Sequence, residues 1–171
     1  MPVKKAIRQD IPELVKLVNS AYRGDASKKG WTTEADLLLG EIRTDAASLE
    51  HIFSNENDAI LKYTTDDELI AGCVYLQKQH HKLYLGMLSV NPELQAGGIG
   101  KQLLNAAEEY AKENDCHSIT MTVISVRKEL IAWYLRRGYQ LTGLNKPFPA
   151  DENFGVPTQE LVFEILEKEI V

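Results

Sequence analysis

Segment 82–113 constrains the fold of this chain more than any other stretch. Its first nine residues, 82–90, show almost no alternation of apolar and polar side chains, which is typical of a strand buried on both faces at the centre of a sheet. An Asn-Pro pair ends that strand, and from Gly98 to about Glu113 apolar side chains recur at helical spacing. A buried strand followed by a long amphipathic helix indicates a layered α/β domain.

The remaining periodicities predict a mixed, mostly antiparallel central sheet flanked by helices. Strands 59–64, 69–79 and 82–90 are close neighbours, which favours an antiparallel meander. The helix between strands 82–90 and 118–124 predicts a right-handed crossover, and hence a parallel pair. Further strands are expected at 3–8, 139–143 and 160–166, and further helices at 11–22, 33–39, 45–53 and 129–137.

Two helix starts have polar signals. Asp10 followed three residues later by Glu13 has the spacing of a capping box. Thr33 is expected to cap a short helix that ends at Leu39-Gly40. The chain of 171 residues shows no repeat or linker, so we expect one α/β (α+β) domain over 1–171.

Composition excludes several classes of protein. A formal net charge of −6 argues against a nucleic-acid binder, which needs a basic face. No apolar run approaches the ~20 residues that span a bilayer, and the N-terminus has no signal-peptide core; we therefore expect a cytoplasmic protein without membrane contact. Cys73 and Cys116 lack CxxC spacing and are expected to be buried free thiols.

The glycine-rich loop between the central strand and the long helix is a candidate anion site. The first-turn amides of a helix have no internal partners and lie at the positive end of its dipole, and glycine lets the backbone approach an anion. A nucleotide P-loop needs Gly at 95 and Ser or Thr at 102, where this chain has Gln95 and Gln102, and a GxGxxG motif starting at Gly98 fails at Leu103. A tight turn without a ligand is the ordinary alternative.

Two motifs together resemble the GNAT acetyltransferase family. The pattern Q-x-x-G-x-G at 95–100, after a strand ending in Ser89-Val90-Asn91-Pro92, is similar to the family's pyrophosphate-binding signature. Segment 132–139 is similar to its second signature, an aromatic-Tyr pair before a Gly-aromatic pair. The similarity covers about 59–143 and implies an acetyl-CoA-binding core there, a variable substrate-side region at 1–58, and a C-terminal loop and strand at 144–171.

The resemblance implies a fold in which the parallel strands separate and acetyl-CoA lies in the gap. It assigns cofactor-binding roles to Leu88, Ser89, Val90, Gln95, Ala96, Gly97, Gly98, Ile99, Gly100 and Lys101. Arg127 stands where the family often has an asparagine that contacts the cofactor, and we expect it to contact phosphate or pantetheine. No metal is implied, since the His80-His81 pair lacks a third ligand.

The implied activity is transfer of acetyl from acetyl-CoA to a primary amine by direct attack in a ternary complex. Tyr134 is the expected general acid for the leaving thiolate. A thiol pKa of about 8.5 and a phenol pKa of about 10 make that transfer uphill by roughly 2 kcal/mol, which suits a concerted donor. The alternatives are that Tyr134 is one more core aromatic and that the protein is a non-catalytic acyl-CoA sensor.

The acceptor pocket is expected on the substrate side, where the family varies. Its candidate residues are Tyr22, Arg23, Trp31, Thr32, Glu34 and Arg43, with the Phe148 loop as a border. An arginine there can hold a substrate carboxylate with two parallel hydrogen bonds. The ordinary alternative is surface arginines and solvated glutamates at 34 and 41. The acceptor is expected to be a small-molecule or a peptide or protein amine, and edge strands allow a homodimer.

Overall fold

The computed structural model describes residues 2–23, 27–28, 33–40, 42–94, 97–148 and 155–170, apart from the side chain of Leu39. Its strands are β1 (Val3–Lys5), β2 (Leu38–Leu39), β3 (Asp58–Thr64), β4 (Ile70–Gln79), β5 (Lys82–Val90), β6 (Ser118–Ile124), β7 (Gln140–Pro147), β8 (Val156–Pro157) and β9 (Val162–Glu169). Its helices are α1 (Ile11–Tyr22), α2 (Ala46–Phe53), α3 (Ile99–Glu113) and α4 (Lys128–Leu135), with a 3-10 turn at Arg8–Asp10.

In these residues seven strands form one mixed sheet, in the order β1-β3-β4-β5-β6-β9-β7. The predicted meander is confirmed, because β3, β4 and β5 pair antiparallel. The predicted parallel pair is also confirmed, since β5 pairs parallel with β6 and α3 forms the crossover between them. Strand β9 lies between β6 and β7 and is antiparallel to both.

The sheet separates two apolar cores. Successive side chains of a strand point to opposite faces, and in β3 Ile60 packs with α1 and α2 while Leu61 packs with α3 and α4. The central strand is closely covered on both sides, as its sequence indicates. Both cysteines are buried free thiols, as expected. No helix in the described ranges is long and apolar enough to cross a membrane.

Gly72 of β4 lies where the start of α3 packs tightly against the sheet. A Cβ at this position would lie 2.8 Å from Ile99 Cγ2, 3.0 Å from Leu103 Cδ1 and 3.1 Å from the carbonyl oxygen of Ser89. The first two atoms belong to the start of α3, and the third belongs to β5. Glycine at 72 therefore sets the distance between the beginning of α3 and the central strand.

We expect Gly72→Ala to lower the free energy of unfolding by about 1–3 kcal/mol, since overpacking forces backbone shifts. The Ile99 and Leu103 methyl groups can move aside, but the Ser89 carbonyl cannot move without displacing β5, so part of the strain falls on the backbone. Urea denaturation measures the change. Gly97→Ala is the matched control, because a Cβ at 97 would meet nothing within 4 Å; equal destabilisation by the two variants would contradict this account.

The predicted capping box at Asp10 and Glu13 is wrong. The Asp10 carboxylate accepts from the backbone N–H of Ile7 at 2.8 Å and pairs with Lys62 at 2.8 Å. The Glu13 carboxylate accepts from the backbone N–H of Ile70 at 2.8 Å. Both acids therefore anchor α1 to the sheet. Their partners in the sheet, Lys62 and Ile70, lie 52 and 57 residues away, too far along the chain for a local motif to indicate.

The predicted helix at 33–39 is also wrong. The Thr33 hydroxyl accepts from the backbone N–H of Ala35 at 3.1 Å, and a turn at 35–37 leads directly into β2. There Leu38 pairs with Pro157 of β8 in a small second sheet. Pairing with a distant strand overrides the local helical pattern, and the side chain of Leu38 is buried.

Candidate active site

The parallel strands β5 and β6 separate after three pairs. Their register runs from Lys82 opposite Ser118 to Tyr84 opposite Thr120. Beyond Tyr84, β6 keeps pairing with β9 as far as Ile124, whereas no pairing of β5 with β6 is present in the described residues. The expected divergence is therefore present, and it leaves the edge of β5 that faces β6 without a strand partner along 85–90.

A bulge in β5 lies at the point of separation. Gly86 lies opposite Tyr75 and Ser89 opposite Cys73, so Met87 and Leu88 together face a single residue of β4. Met87 has a φ of 53°, a left-handed conformation that is uncommon for a side chain of its size. An extra residue of this kind bends its strand, which directs the second half of β5 away from β6.

A cavity of about 520 Å³ occupies the space between the separated strands. Its walls come from β5 and β6, from the ends of α1 and α4, and from the C-terminal strands. The lining residues include 84–88, 121–124, Leu130, Tyr134, Pro147, Phe148 and Phe163, together with Tyr22, Arg23, Glu34, Arg43, Arg127 and Lys146. The predicted general acid, the predicted cofactor strand and the described members of the predicted acceptor site thus meet at one cavity.

Tyr134 of α4 is buried in the cavity wall. Its ring makes edge contacts with Trp133 and Tyr139, at centroid distances of 5.1 and 5.8 Å. Burial raises the pKa of Tyr134 well above its usual value of 10, Tyr22 adds to that shift, and the positive charge of Arg127 opposes it. The phenol therefore keeps its proton at any pH near neutral.

Tyr22 links the acceptor side of the cavity to the cofactor strand. Its hydroxyl donates a hydrogen bond to the carbonyl of Leu88 in β5. Burial raises the pKa of Tyr22 to about 12, so this donor also stays protonated. One of the backbone groups predicted to bind the cofactor is thus already occupied by a residue predicted to bind the acceptor.

Glu34 is not a solvated charge, which corrects the ordinary alternative considered for it. One carboxylate oxygen pairs with Arg23 and the other lies 3.4 Å from Nη1 of Arg127. The side chain of Arg23 is 2% exposed and that of Glu34 is 11% exposed. Burial lowers the pKa of Arg23, and its ion pair with Glu34 opposes that shift. The bridge fastens the substrate-side region to the start of α4.

Arg43 is positioned by its backbone and by an aromatic ring. The side-chain oxygen of Asn19 accepts from the backbone N–H groups of Arg43 at 2.5 Å and Thr44 at 2.9 Å. The Arg43 guanidinium lies 5.4 Å from the ring centroid of Tyr22, within cation–π range. Its charge is therefore directed into the cavity wall rather than into bulk solvent.

The glycine-rich loop leads into the N-terminus of α3, outside the cavity wall. Gly98 occupies the N-cap position with a φ of 73° and no side-chain cap, a conformation that favours glycine. A Cβ at Gly97 or Gly98 would meet nothing within 4 Å, so open space lies in front of the helix. The N–H of Gly97 already donates to the Leu94 carbonyl at 3.2 Å.

Several predicted site residues lie outside the described residues: Gln95, Ala96, Trp31 and Thr32. Sequence reasoning missed Tyr84, whose hydroxyl lies 3.2 Å from Oγ1 of Thr122 across the separating strands. It also missed Lys146 and Asn19. Tyr84 could have been found from the predicted parallel pair, but the position of Lys146 depends on the pairing of β7 with β9, for which the sequence has no local signal.

Comparison with known proteins agrees with this geometry. The sequence profile of the acetyltransferase (GNAT) family matches residues 13–139, which is most of the chain. The chain therefore belongs to that family of acyltransferases, whose acyl donor is acetyl-CoA.

Solved structures share the fold at low sequence identity. A putative phosphinothricin N-acetyltransferase superposes with a TM-score of 0.73 at 14% identity, over 99% of this chain and 98% of that one. The ribosomal-protein-S18-alanine N-acetyltransferase of Escherichia coli gives 0.72 at 13%, over 98% and 92%. The structure of yncA, a putative acetyltransferase of Salmonella typhimurium solved with its cofactor acetyl-CoA, gives 0.71 at 13%, over 99% and 93%.

Proposed function

We propose that this protein transfers the acetyl group of acetyl-CoA to a primary amine by direct attack in a ternary complex. The observation that carries the proposal is the position of Tyr134. Its phenol ring is buried in the wall of the cavity where β5 and β6 separate. A proton donor in a water-poor gap between strands suits the departure of a thiolate.

The donor would be held mainly by the backbone. In this proposal residues 88–90 of β5 contact the pantetheine amides, with the N–H of Leu88 rather than its carbonyl, since Tyr22 occupies that carbonyl. The first-turn amides of α3, up to Lys101, would bind the diphosphate. Gln95, Ala96 and Arg127 keep their predicted cofactor roles within this proposal.

The chemistry balances within these groups. The nitrogen lone pair of a neutral amine attacks the thioester carbon, and a backbone N–H of β5 would stabilise the resulting oxyanion. The carbon–sulfur bond then breaks, and the sulfur takes the proton of Tyr134. The nitrogen loses its excess proton to water, and a proton from water restores the Tyr134 phenol. Burial raises the pKa of Tyr134 but disfavours a thiolate in the same cavity for the same reason, so we place donation in step with cleavage.

No side chain is assigned as the base. Glu34 is the only carboxylate among the described residues that line the cavity, and both its oxygens face arginines. In this proposal the amine loses its proton to water before attack. With an amine pKa near 10.4, about one molecule in a thousand or fewer is neutral at pH 7, and the rate should rise with pH.

We expect CoA to shift the backbone amide resonances of 97–101 and 88–90 in an NMR titration, while those of α2 stay in place. Pantetheine, which lacks the diphosphate, is the matched probe and should shift 88–90 without affecting 97–101. If saturating CoA leaves 97–101 unmoved, the proposed donor site is wrong.

A turnover assay distinguishes an enzyme from a non-catalytic acyl-CoA sensor. Release of free CoA thiol that depends on an added amine supports an enzyme. Binding of CoA without thiol release from any amine would support a sensor.

A further inference from the structure

The cavity wall is positively charged in an acidic protein. The chain has a formal net charge of −6, yet the lining contains four cationic side chains and one carboxylate. The cations are Arg23, Arg43, Arg127 and Lys146, and the carboxylate is Glu34. A concentration of positive charge against the overall balance indicates a site for an anion.

The single carboxylate is shared by two of these cations. Glu34 pairs with Arg23 and Arg127 through separate oxygens, which leaves Arg43 and Lys146. Neither of these two side chains forms an ion pair with a carboxylate in the described part of the chain. The Arg43 guanidinium instead lies beside the Tyr22 ring. Its five N–H donors can match a planar or a tetrahedral oxyanion.

The diphosphate of the donor does not account for this charge. The diphosphate has its own proposed site at the N-terminus of α3, and residues 97–101 do not line the cavity. Arg43 lies on the acceptor side, beyond Tyr22, whose hydroxyl bonds to β5. A second anion, distinct from the donor, is therefore the group that Arg43 and Lys146 would bind.

We infer that the acceptor is an amine that also carries an anionic oxyacid group, bound by Arg43 with Lys146. This inference rests on the proposed function and names its substrate class. A carboxylate matches the guanidinium with two parallel hydrogen bonds, and a phosphonate or phosphate matches it as well. Polyamines and other polycationic acceptors are disfavoured, because the wall repels them.

Matched pairs of acceptors test the inference. The standard primary-amine amino acids are offered as free acids and as α-amides, with 1-aminoalkylphosphonates as a third arm and spermidine as a cationic comparison, and CoA thiol release is followed. The amide has more neutral amine at a given pH, because it lacks the carboxylate that stabilises the ammonium. Faster turnover of an acid than of its amide thus reports recognition of the anion.

Arg43→Gln should lower kcat/KM for the preferred acid by about tenfold to a hundredfold, mainly through KM, since a hydrogen bond to a charged group is lost. The same variant should lower kcat/KM for the matched amide by much less than for the acid. Lys146→Gln should act in the same direction with a smaller effect, because its side chain is exposed. Lys112→Gln, on the exposed face of α3, is the matched control and should change neither.

The outcomes separate this inference from the proposed function. If amides are acetylated as fast as acids, or if no acid is acetylated while CoA still shifts residues 97–101, the inference is overturned and donor binding stands. If CoA itself does not bind, the proposed function fails. Comparison of the aminoalkylphosphonates with the amino acids shows which oxyacid is preferred. Preference for a carboxylate or for a phosphonate over the neutral amide supports the inference.

Discussion

Tyr134→Phe should lower kcat by about 10²- to 10⁴-fold, the usual contribution of a positioned proton donor. The variant keeps the ring and its edge contacts with Trp133 and Tyr139, so CoA affinity and the free energy of unfolding should stay close to those of the wild type. Steady-state kinetics with an amine acceptor, combined with calorimetric titration of CoA, separates loss of chemistry from loss of binding. Unchanged kcat would remove Tyr134 from the mechanism.

The matched control and the pH profile sharpen this test. Tyr110→Phe alters a half-buried tyrosine of α3 that does not line the cavity, and it should keep full kcat. Because burial raises the pKa of Tyr134 well above 10, this acid is lost only above that pH. The wild-type rate should therefore rise with pH as the amine loses its proton. No decline of the rate is expected at any pH up to about 10. A decline near pH 8 would indicate a different acid.

Glu34→Ala should lower the free energy of unfolding by about 3–5 kcal/mol, the usual cost of removing one member of a buried ion pair. Arg23, 2% exposed, would lose the charge that offsets its burial. Since whole domains are stable by only about 5–15 kcal/mol, the loss should be evident as a large shift of the urea midpoint.

Glu50→Ala provides the comparison, since Glu50 pairs with Arg8 at 2.9 Å on the surface, with the two side chains 52% and 55% exposed. Exposed pairs contribute about 0–1 kcal/mol, so this variant should be nearly neutral. The double variant Arg23→Met with Glu34→Leu should recover much of the loss, because it removes both buried charges. If Glu34→Ala lowers the free energy of unfolding no more than Glu50→Ala does, the buried ion pair does not stabilise the fold as stated.

Local pattern predicted the centre of the fold well. Strand β5 and helix α3 have the predicted bounds. A strand covered on both sides has a continuous apolar run, and a helix with one apolar face has apolar residues at helical spacing, so both patterns are visible in consecutive residues. Segment 33–39 failed for the opposite reason. Its conformation is set by the pairing of Leu38 with Pro157, which no window around residue 38 contains.

The site divides in the same way. Tyr134 and the glycines at 97 and 98 belong to short motifs, so the sequence could propose them as site residues. Glu34 lies between Arg23 and Arg127, the latter 93 residues away, so the sequence around Glu34 did not distinguish its carboxylate from a surface charge. Likewise, nothing in the residue type of Met87 indicates a positive φ; that conformation follows from the pairing of the neighbouring strands.

The position of β9 between β6 and β7 has a consequence for synthesis. When β6, α4 and β7 have emerged from the ribosome, the nascent chain still lacks β9, the strand that pairs with both β6 and β7. Strand β9 also contributes Phe163 to the cavity wall. Domains fold as units while chains emerge from the ribosome, so here the first half can assemble early, whereas β6 and β7 stay incompletely paired until residue 169 has left the tunnel. Throughout that interval, the far wall of the catalytic gap is the part of the molecule most open to misfolding and to chaperone capture.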